Sequence, residues 1–442
     1  MQYCDTLLHA AHIVTCDAHN SIFADAALAI SGGLIVDMGA SLALEQRWQA
    51  GKTLRMGHAA LLPGLINAHT HAAMTILRGL ADDMPLMDWL NNCVFPVEKN
   101  LTADLTRMGA LLGYAEMLRT GTPACVDMYL FAEASLEAAA TAGLRCLCGE
   151  VVFDFPGAAC ANPEQALEKT RALAEKYQGH ARLRVAVSPH SVYTCSPQTL
   201  RACRDLACDL KLPLHIHLAE TVQETAICLN EHKMRPIAFC HSLKLLDAPC
   251  TLAHVVDALP EELDTLAATH AVVAHNPSSN MKLASGAAPV AAMLERGIPV
   301  ALGTDGAASN NRLNMFTEMD RCALLHKLIH KDPAVLPAQQ ALHMATSGGA
   351  AAMHDKRLGQ LAIGSPADCV ALDLDAAGLQ PVYNLVSHLV YAATGLETRM
   401  TMVNGEVLYQ DGRFTRFDYP ALCEEARAAR NFVLKTIGRQ RA

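Results

Sequence analysis

The chain has 442 residues, of which 51% are hydrophobic and 5% aromatic, and its formal net charge is −9 at pH 7. This length fits one large domain with a smaller accessory domain. The acidic balance and the lack of a basic run argue against a nucleic-acid partner, since phosphates need cations to neutralise them. No segment approaches the roughly 20 apolar residues that span a bilayer, so no membrane partner is expected.

The 16 cysteines are scattered and include no CxxC pair; Cys146 and Cys148 are the most closely spaced. This pattern favours buried free thiols in a reducing compartment over a disulfide framework. The first residues lack the basic and apolar regions of a secretory signal. The sequence therefore predicts a cytoplasmic protein.

Residues 1–58 contain short strand-like pieces separated by turn signals, such as HIVTCD and ALAISGGLIVDMG. A different unit then repeats, in which a short apolar run ends in polar or ionisable residues and a helix-like stretch follows. Continuous apolar runs of this length are typical of parallel strands buried on both faces. Eight such runs cover residues 60–71, 122–128, 144–154, 182–191, 212–220, 250–257, 270–277 and 298–305.

Eight strands alternating with helices predict an α/β fold, namely a (β/α)8 barrel of the TIM type. Nearly every run carries His, Glu or Asp near its C-terminal end, on the face where such barrels build active sites. A doubly wound open sheet would need a phosphate-binding GxGxxG near its start, which the sequence lacks. The pattern therefore favours the barrel.

After the barrel the chain returns to short strands, and Asn404-Gly405 and Asp411-Gly412 are typical hairpin turn pairs. The two strand-rich ends are expected to pack together as one small β-sandwich. The last residues, CEEARAARNFVLKTIGRQRA, have the pattern of an amphipathic surface helix. We expect sandwich strands in 1–58 and 358–418, the barrel in 59–357 and the helix in 419–442.

His69 and His71 close the first barrel run. Two residues apart on a strand, their imidazoles point to one face and can share an ion. An isolated HxH is weak evidence, since 20 histidines produce about one such pair by chance. The position at a strand end, with other ligand types at other strand ends, is what indicates a metal site.

A second HxH, His215 and His217, lies in the fifth run and is followed by Glu220. His217 is the better candidate ligand, and Glu220 would place a proton donor beside the ion. The alternative is that both histidines are packed or hydrogen-bonded core residues. His254, in the sixth run, is either structural or has a role in orienting or deprotonating the metal-bound water.

Asp305 ends the eighth run, where its carboxylate can reach a metal and accept a proton from water. Alternatively it is the N-cap of the next helix, although Ser309 or Asn310 could fill that position. Three imidazoles and one carboxylate suit one zinc ion, or a similar ion such as iron(II), which lowers the pKa of water towards about 7. The candidate ligands are His69, His71, His217 and Asp305, and the candidate catalytic residues are Glu220, His254 and Asp305.

Five segments, PGLINAHTH, HIHLAET, LAHVVD, HNPSSNMKL and GTDGAASNN, resemble in order the motifs of the amidohydrolase superfamily. Within it they look like the branch that deaminates adenosine derivatives, the methylthioadenosine and S-adenosylhomocysteine deaminases. The resemblance covers nearly the whole chain, including GSPADCVALDLD and VNGEVLYQDGRF near its end. It implies a single ion, since no lysine replaces a ligand as in binuclear members.

The resemblance also implies roles for individual residues. Glu220 matches the residue that moves a proton to the ring nitrogen, and His254 matches the histidine that holds the attacking water. Trp89 and Glu98 match positions that cover the purine and hydrogen bond to the ribose hydroxyls, and His190 matches a residue lining the substrate pocket. The implied reaction is hydrolytic attack on C6 of an adenine ring with release of ammonia.

Arg145 stands near one position where relatives that accept S-adenosylhomocysteine have arginines for its carboxylate, and Arg145 is therefore a candidate substrate-binding residue. The next segment, EVVFDFPGAACANPEQ, contains no second arginine. Loss of a charge-assisted contact favours neutral 5′ groups, as in methylthioadenosine or 5′-deoxyadenosine, with aminodeoxyfutalosine and adenosine as further candidates. Arg145 could equally be a surface residue before its strand.

Two other functions remain open. A hydrolase of the same fold could act on a free base or another heterocycle, such as guanine, a pterin or a triazine; Glu98 would then have no ribose to bind. A non-catalytic barrel scaffold is disfavoured by the intact ligand set. The zinc deaminases with an HxE and PCxxC signature are excluded, because the chain lacks PCxxC. The resemblance implies a homo-oligomer, a dimer or tetramer.

Overall fold

The computed structural model describes residues 1–80, 82–84, 88 and 90–438. Both ends of the chain contribute to one nine-stranded sheet, in the order β18-β17-β16-β15-β5-β1-β2-β3 with β4 also paired to β1. Its N-terminal strands are β1 Gln2–Val14, β2 Ile22–Ser31, β3 Leu34–Ala40, β4 Trp48–Arg55 and β5 Ala59–Pro63. Its C-terminal strands are β15 Cys369–Asp373, β16 Thr398–Val403, β17 Glu406–Gln410 and β18 Arg413–Phe414.

Strand β5 joins the two ends of the chain, because it pairs in parallel with β1 and antiparallel with β15. The hairpins of β16–β17 and β17–β18 turn at the predicted pairs. There Asn404 and Gly405 have φ of 49° and 74°, and Asp411 and Gly412 have φ of 45° and 87°. Two consecutive residues with positive φ are what a tight type I′ hairpin requires, which explains the Asn-Gly and Asp-Gly sequences.

The centre of the molecule is the predicted barrel of parallel strands. One hydrogen-bonded sheet runs β10-β8-β7-β6, with β9 also on β8, and another runs β11-β12-β13-β14. Backbone bonds from His215 N to Val187 O (2.9 Å) and from Asp305 N to His69 O (2.9 Å) join the two sheets on both sides. The barrel strands are β6 Ile66–Thr70, β7 Ala124–Tyr129, β8 Arg145–Val152, β9 Leu183–Val185, β10 Ser188–Pro189, β11 Leu214–Leu218, β12 Cys250–His254, β13 Val272–His275 and β14 Val300–Leu302.

Helices connect the strands, and several begin at a residue whose side chain accepts a backbone N–H, as Thr221 and Asn314 do. Among the described residues, no helix has the length and apolarity that crossing a membrane requires. The helices are α1 Ser41–Arg47, α2 Phe95–Glu98, α3 Ala103–Arg119, α4 Ala132–Ala142, α5 Pro163–Lys176, α6 Pro197–Leu210, α7 Val222–His232, α8 Pro236–Ser242, α9 Pro260–Ala267, α10 Pro277–Lys282, α11 Val290–Glu295, α12 Met315–His330, α13 Ala338–Ala345, α14 Ser347–Ala352, α15 Leu385–Ser387 and α16 Tyr419–Thr436.

The barrel interior is filled largely by small and β-branched side chains. Ala68, Val126, Ala274 and Ala301 belong to one buried cluster there. Small residues at these positions leave room for the ionisable side chains at the carboxyl ends of the barrel strands. The interior therefore changes from apolar to ionisable towards the carboxyl ends of the strands.

Arg145 lies at the opposite end of the barrel from these carboxyl ends, because it is the first residue of β8. Its side chain is buried, ion-paired with Asp368 before β15, and hydrogen bonded to Asn404 and to the carbonyl of Ala181. Arg145 thus joins the barrel to the terminal sheet. The prediction that it binds substrate is wrong, and so is the alternative that it is an exposed surface residue.

We expect Arg145→Met to lower the free energy of unfolding by about 3–5 kcal/mol, because removing one partner leaves the buried Asp368 carboxylate unpaired. Thermal and denaturant unfolding measure this effect. Arg171→Met, at an exposed position on α5, is the matched control and should change stability by less than about 0.5 kcal/mol. Unchanged stability together with a raised KM would contradict the structural assignment.

Candidate metal centre and catalytic cavity

Side chains from the ends of four strands, β6, β11, β12 and β14, converge at the carboxyl end of the barrel. One potential ligand atom each from His69, His217, His254 and Asp305 lies within 4.8 Å of the others. His71 joins them, since its Nε2 is 3.1 Å from His217 Nε2 and 3.2 Å from Asp305 Oδ1. The structure thus brings all four predicted ligands together, with His254 beside them.

Hydrogen bonds at the other ring nitrogens orient the three predicted histidine ligands. Nδ1 of His71 lies 2.6 Å from Met128 O, and Nδ1 of His217 lies 2.9 Å from His190 O. Nδ1 of His69 lies 2.9 Å from His215 Nε2. Each Nε2 is therefore directed to the centre, as the outer hydrogen bonds of metal-ligating histidines require. His215 is a hydrogen-bonded core histidine, one of the two roles predicted for it.

The Asp305 carboxylate is the negative charge of this cluster. Its Oδ2 accepts hydrogen bonds from Ser279 Oγ (2.7 Å) and Ser309 Oγ (2.8 Å), while Oδ1 faces the imidazoles. Burial alone would raise the pKa of Asp305, but the neighbouring imidazoles of His69 and His71 hold it well below its usual range. Burial likewise opposes charge on His71, yet the bond to Asp305 raises the pKa of that imidazole to about 9. Burial lowers the pKa of His69 to about 4.

The cluster fits one divalent cation. Nε2 of His69 is buried without a hydrogen-bond partner, 3.3 Å from Asp305 Oδ1. Zn–N bonds of 2.0–2.1 Å in a tetrahedron place ligand atoms about 3.3 Å apart, which is close to the separations observed here. The N-cap alternative for Asp305 does not apply, because α12 is capped by Asn314, whose side chain accepts from Phe316 N at 3.0 Å.

Glu220 and His254 lie next to the cluster and face each other, with 3.9 Å between Glu220 Oε2 and His254 Nε2. Burial, and then the negative charge of Asp305, raise the pKa of Glu220 to about 8. Burial lowers the pKa of His254 to about 4, and Asn280 Nδ2 lies 2.9 Å from its Nδ1. A protonated carboxyl and a neutral imidazole are a suitable pair for proton transfer near neutral pH.

The cluster forms one end of a cavity at the mouth of the barrel. Glu98 and His190 line this cavity, and their roles in binding a substrate stay predictions. Burial raises the pKa of Glu98 and lowers that of His190 to about 3. The prediction for Trp89 lies outside the described residues.

Glu224 is a residue of this site that the sequence analysis missed. Its two carboxylate oxygens accept the backbone N–H groups of Ala219 (2.9 Å) and Glu220 (2.7 Å). Ala219 has φ of 52°, a strained value for an L-residue, so these bonds hold the turn that aims Glu220 at the cavity. Thr221 is the N-cap of α7, and its Oγ1 accepts Glu224 N at 3.2 Å. The sequence Thr-x-x-Glu, which is typical of a helix start and directly follows Glu220, is the feature from which the role of Glu224 could have been predicted.

We expect Glu224→Gln to reduce kcat about 10- to 100-fold with a smaller effect on KM. One backbone N–H would face an amide NH2 in place of an oxygen, and loss of a charged hydrogen bond costs about 1.5–3 kcal/mol. Steady-state kinetics measure the effects on kcat and on KM separately. Glu231→Gln, an exposed position on the same helix, is the control. If Glu224→Gln lowers thermal stability, and the folded fraction of the variant keeps the kcat and KM of the unmodified protein, the role of Glu224 is purely structural.

Comparison with known proteins shows what this chain resembles. The sequence profile described as "Amidohydrolase family" matches residues 60–408. A 5-methylthioadenosine/S-adenosylhomocysteine deaminase of Desulfovibrio desulfuricans is 65% identical over 438 residues, covering 99% of this chain and 100% of that protein. A protein of the same name from Nitratidesulfovibrio vulgaris is 58% identical, covering 99% of each chain.

Solved structures give the same result for the fold. An adenosine deaminase from Xanthomonas campestris with bound zinc is 34% identical, has a TM-score of 0.96 and covers 98% of this chain and 99% of its own. An atrazine chlorohydrolase from Arthrobacter aurescens, complexed with zinc, has a TM-score of 0.90 at 24% identity, with 96% and 99% covered. At that identity the likeness concerns the fold alone.

Proposed function

Because this chain belongs to the amidohydrolase family, we propose that it is the hydrolase that removes the 6-amino group of a 5′-modified adenosine, giving the inosine form and ammonia. The observation that carries this proposal is Glu220, a buried carboxyl whose pKa is raised to about 8, next to the His-His-His-Asp cluster. The relatives named above support it, since they are deaminases of methylthioadenosine and S-adenosylhomocysteine over their full length.

For the cofactor, we propose one zinc ion held by His69, His71, His217 and Asp305, with iron(II) as the alternative. Zinc is supported by the Xanthomonas campestris adenosine deaminase, which contains it. Three imidazoles and one carboxylate are ligands that zinc accepts while leaving a position open. When bound, such an ion supplies Lewis acidity and lowers the pKa of water from 15.7 to about 7.

The protein's own groups move the protons of the reaction. The protonated Glu220 carboxyl donates to the ring nitrogen next to C6, so that water can add to a more electrophilic carbon. His254 holds the attacking water, and Asp305 or Glu220 accepts its proton. Returning a proton to the exocyclic nitrogen makes ammonia the leaving group, and water plus the adenosine gives the inosine form and ammonia.

Glu98 and His190 orient the nucleoside in this scheme. Glu98 lies in the wall of the cavity and accepts hydrogen bonds from the ribose hydroxyls, while the neutral His190 packs 4.8 Å from the His217 ring, measured between centroids. Trp89 covers the purine in the same proposal. We further propose that the enzyme acts in the cytoplasm. We also propose that it is a dimer or tetramer, and light scattering of the purified protein would establish this oligomeric state.

A panel of adenosine derivatives tests the function by the ultraviolet change from adenine to hypoxanthine. We expect turnover of adenosines and loss of turnover after chelation, with recovery on adding zinc or iron(II). Glu98→Gln should lower kcat/KM for nucleosides about 10-fold or more, because a charged acceptor for the ribose is lost. Turnover of guanine, a pterin or a triazine, with none of any adenosine, would refute the proposal.

Glu220 should also determine how activity depends on pH. The protonated carboxyl is the proton donor, so kcat/KM is expected to fall as pH rises through its raised pKa, and Glu220→Gln should remove that limb. Losing a positioned general acid costs about 10²–10⁴-fold in kcat. A pH series of initial rates measures both. The proposed role is excluded if Glu220→Gln retains more than about half of the activity.

A further inference from the structure

A second group of potential metal ligands lies between the barrel wall and a helix, away from the catalytic centre. It consists of His275, the last residue of β13, and of Cys322 and His326 on α12. All three are fully buried. Each offers one ligand atom, and the three atoms lie within 4.8 Å of one another. We call this group the outer site; its members do not line the catalytic cavity.

The strand pattern places His275 on the outer face of the barrel wall. Side chains alternate along a strand, and Ala274 belongs to the buried cluster of the barrel interior, whereas Val273 and Cys322 belong to another buried cluster. His275 therefore projects towards α12. On that helix Cys322 and His326 are four residues apart, so their side chains lie on the same face. Strand and helix thus bring two imidazoles and a thiol together.

The two imidazoles of the outer site are close to each other but poorly hydrogen bonded. Their Nε2 atoms are 3.4 Å apart, which is longer than the range of about 2.7–3.2 Å that is usual for hydrogen bonds from nitrogen. Nδ1 of each ring is buried and has no hydrogen-bond partner within the described part of the chain. Buried polar atoms are normally paired. A hydrogen bond between the rings therefore does not account for this arrangement.

One zinc ion matches the separations of these groups. Zn–N bonds of about 2.0–2.1 Å in a tetrahedron place two nitrogen ligands about 3.3 Å apart, close to the 3.4 Å between the Nε2 atoms. A Zn–S bond of about 2.3 Å places sulfur about 3.6 Å from each nitrogen, so binding needs Cys322 Sγ to move inwards by at most about 1 Å. Imidazole and thiolate are ligands that zinc prefers.

The surroundings of the outer site favour neutral imidazoles and help to balance an added positive charge. Burial lowers the pKa of His275 well below its usual value and that of His326 to about 4, so both rings keep the lone pair that binds a cation. Burial raises the pKa of the Cys322 thiol, and the nearby Glu318 carboxyl raises it further. A bound ion would therefore displace the thiol proton, and Glu318 would supply additional negative charge.

Another buried group that contains thiols, Asp127, Cys146 and Cys148, differs because its groups already have partners. Asp127 accepts hydrogen bonds from Tyr114 Oη at 2.7 Å and from Ala72 N at 3.2 Å. Cys146 Sγ lies 3.7 Å from the same tyrosine hydroxyl. Contacts within the chain thus explain this group without an ion, and its thiols provide a comparison for the outer site.

We propose that the outer site binds one zinc ion through His275, Cys322 and His326, in addition to the ion of the catalytic centre. The ion has a structural role, because it fastens α12 to β13. Glu318 on the same helix accepts hydrogen bonds from the loops after β13 and β14, and these loops also donate to Asp305. The outer ion thus stabilises the frame that holds the catalytic carboxylate.

Cobalt(II) tests the outer site because it occupies zinc sites and its absorption reports on its ligands. Cobalt bound by a thiolate absorbs strongly in the near ultraviolet, whereas the proposed catalytic ligands include no sulfur. We expect the full chain, expressed with cobalt or reconstituted after chelation, to bind about two equivalents and to show this band. Cys322→Ala should lower the cobalt content to about one equivalent and abolish the band, and His326→Gln should lower the content likewise.

Cys148→Ala, the same substitution at another buried thiol, is the matched control and should keep both the second equivalent and the band. Circular dichroism shows whether each variant is folded, and the spectrum of the unmodified protein decides the question even if Cys322→Ala does not fold. A protein that binds cobalt without the band, or a band that only Cys148→Ala removes, would overturn the outer site and leave the proposed function intact. No bound cobalt at all would overturn the catalytic ion as well.

Discussion

The structure depends on neutralising one carboxylate inside the barrel. Asp305 is 6% exposed, and a buried charge is costly unless it is paired. The imidazole of His71, whose pKa is raised to about 9, is protonated near neutral pH, and its positive charge balances that of the carboxylate. A divalent cation at the same place would displace that proton and bind His69, His71 and His217 together, which couples metal binding to the protonation of the cluster.

The same constraint explains the strained backbone around the cluster. Asp305 and His254 have φ of 59° and 78°, and Ala219 has φ of 52°. Such conformations cost free energy and persist where surrounding contacts determine them, as they do at catalytic sites. Here they lie where β11, β12 and β14 end, so that His254, Asp305 and Glu220, which follows Ala219, face the cavity. Strand ends thus position the ligands, and the Glu224 carboxylate at the start of α7 positions Glu220.

Much of the fold could be predicted because buried parallel strands leave apolar runs in the sequence. The barrel and the family are confirmed, but the run 60–71 covers two strands, β5 and β6, of different sheets; apolarity alone cannot show where a chain passes between them. The ligand roles stay predictions, although the structure brings His69, His71, His217 and Asp305 together. Arg145 was misjudged because its partner Asp368 lies 223 residues away, beyond any local pattern.

The terminal sheet has a consequence for how the chain is made. Strand β5 lies between β1 and β15, and residues 64–368 separate it from β15. During synthesis the buried, apolar β5 therefore has an unpaired edge until nearly the whole barrel has left the ribosome, and open edges promote aggregation. A chain whose translation stops inside the barrel keeps that edge exposed. Full-length molecules therefore have this edge of β5 covered by β15, whereas truncated molecules expose it.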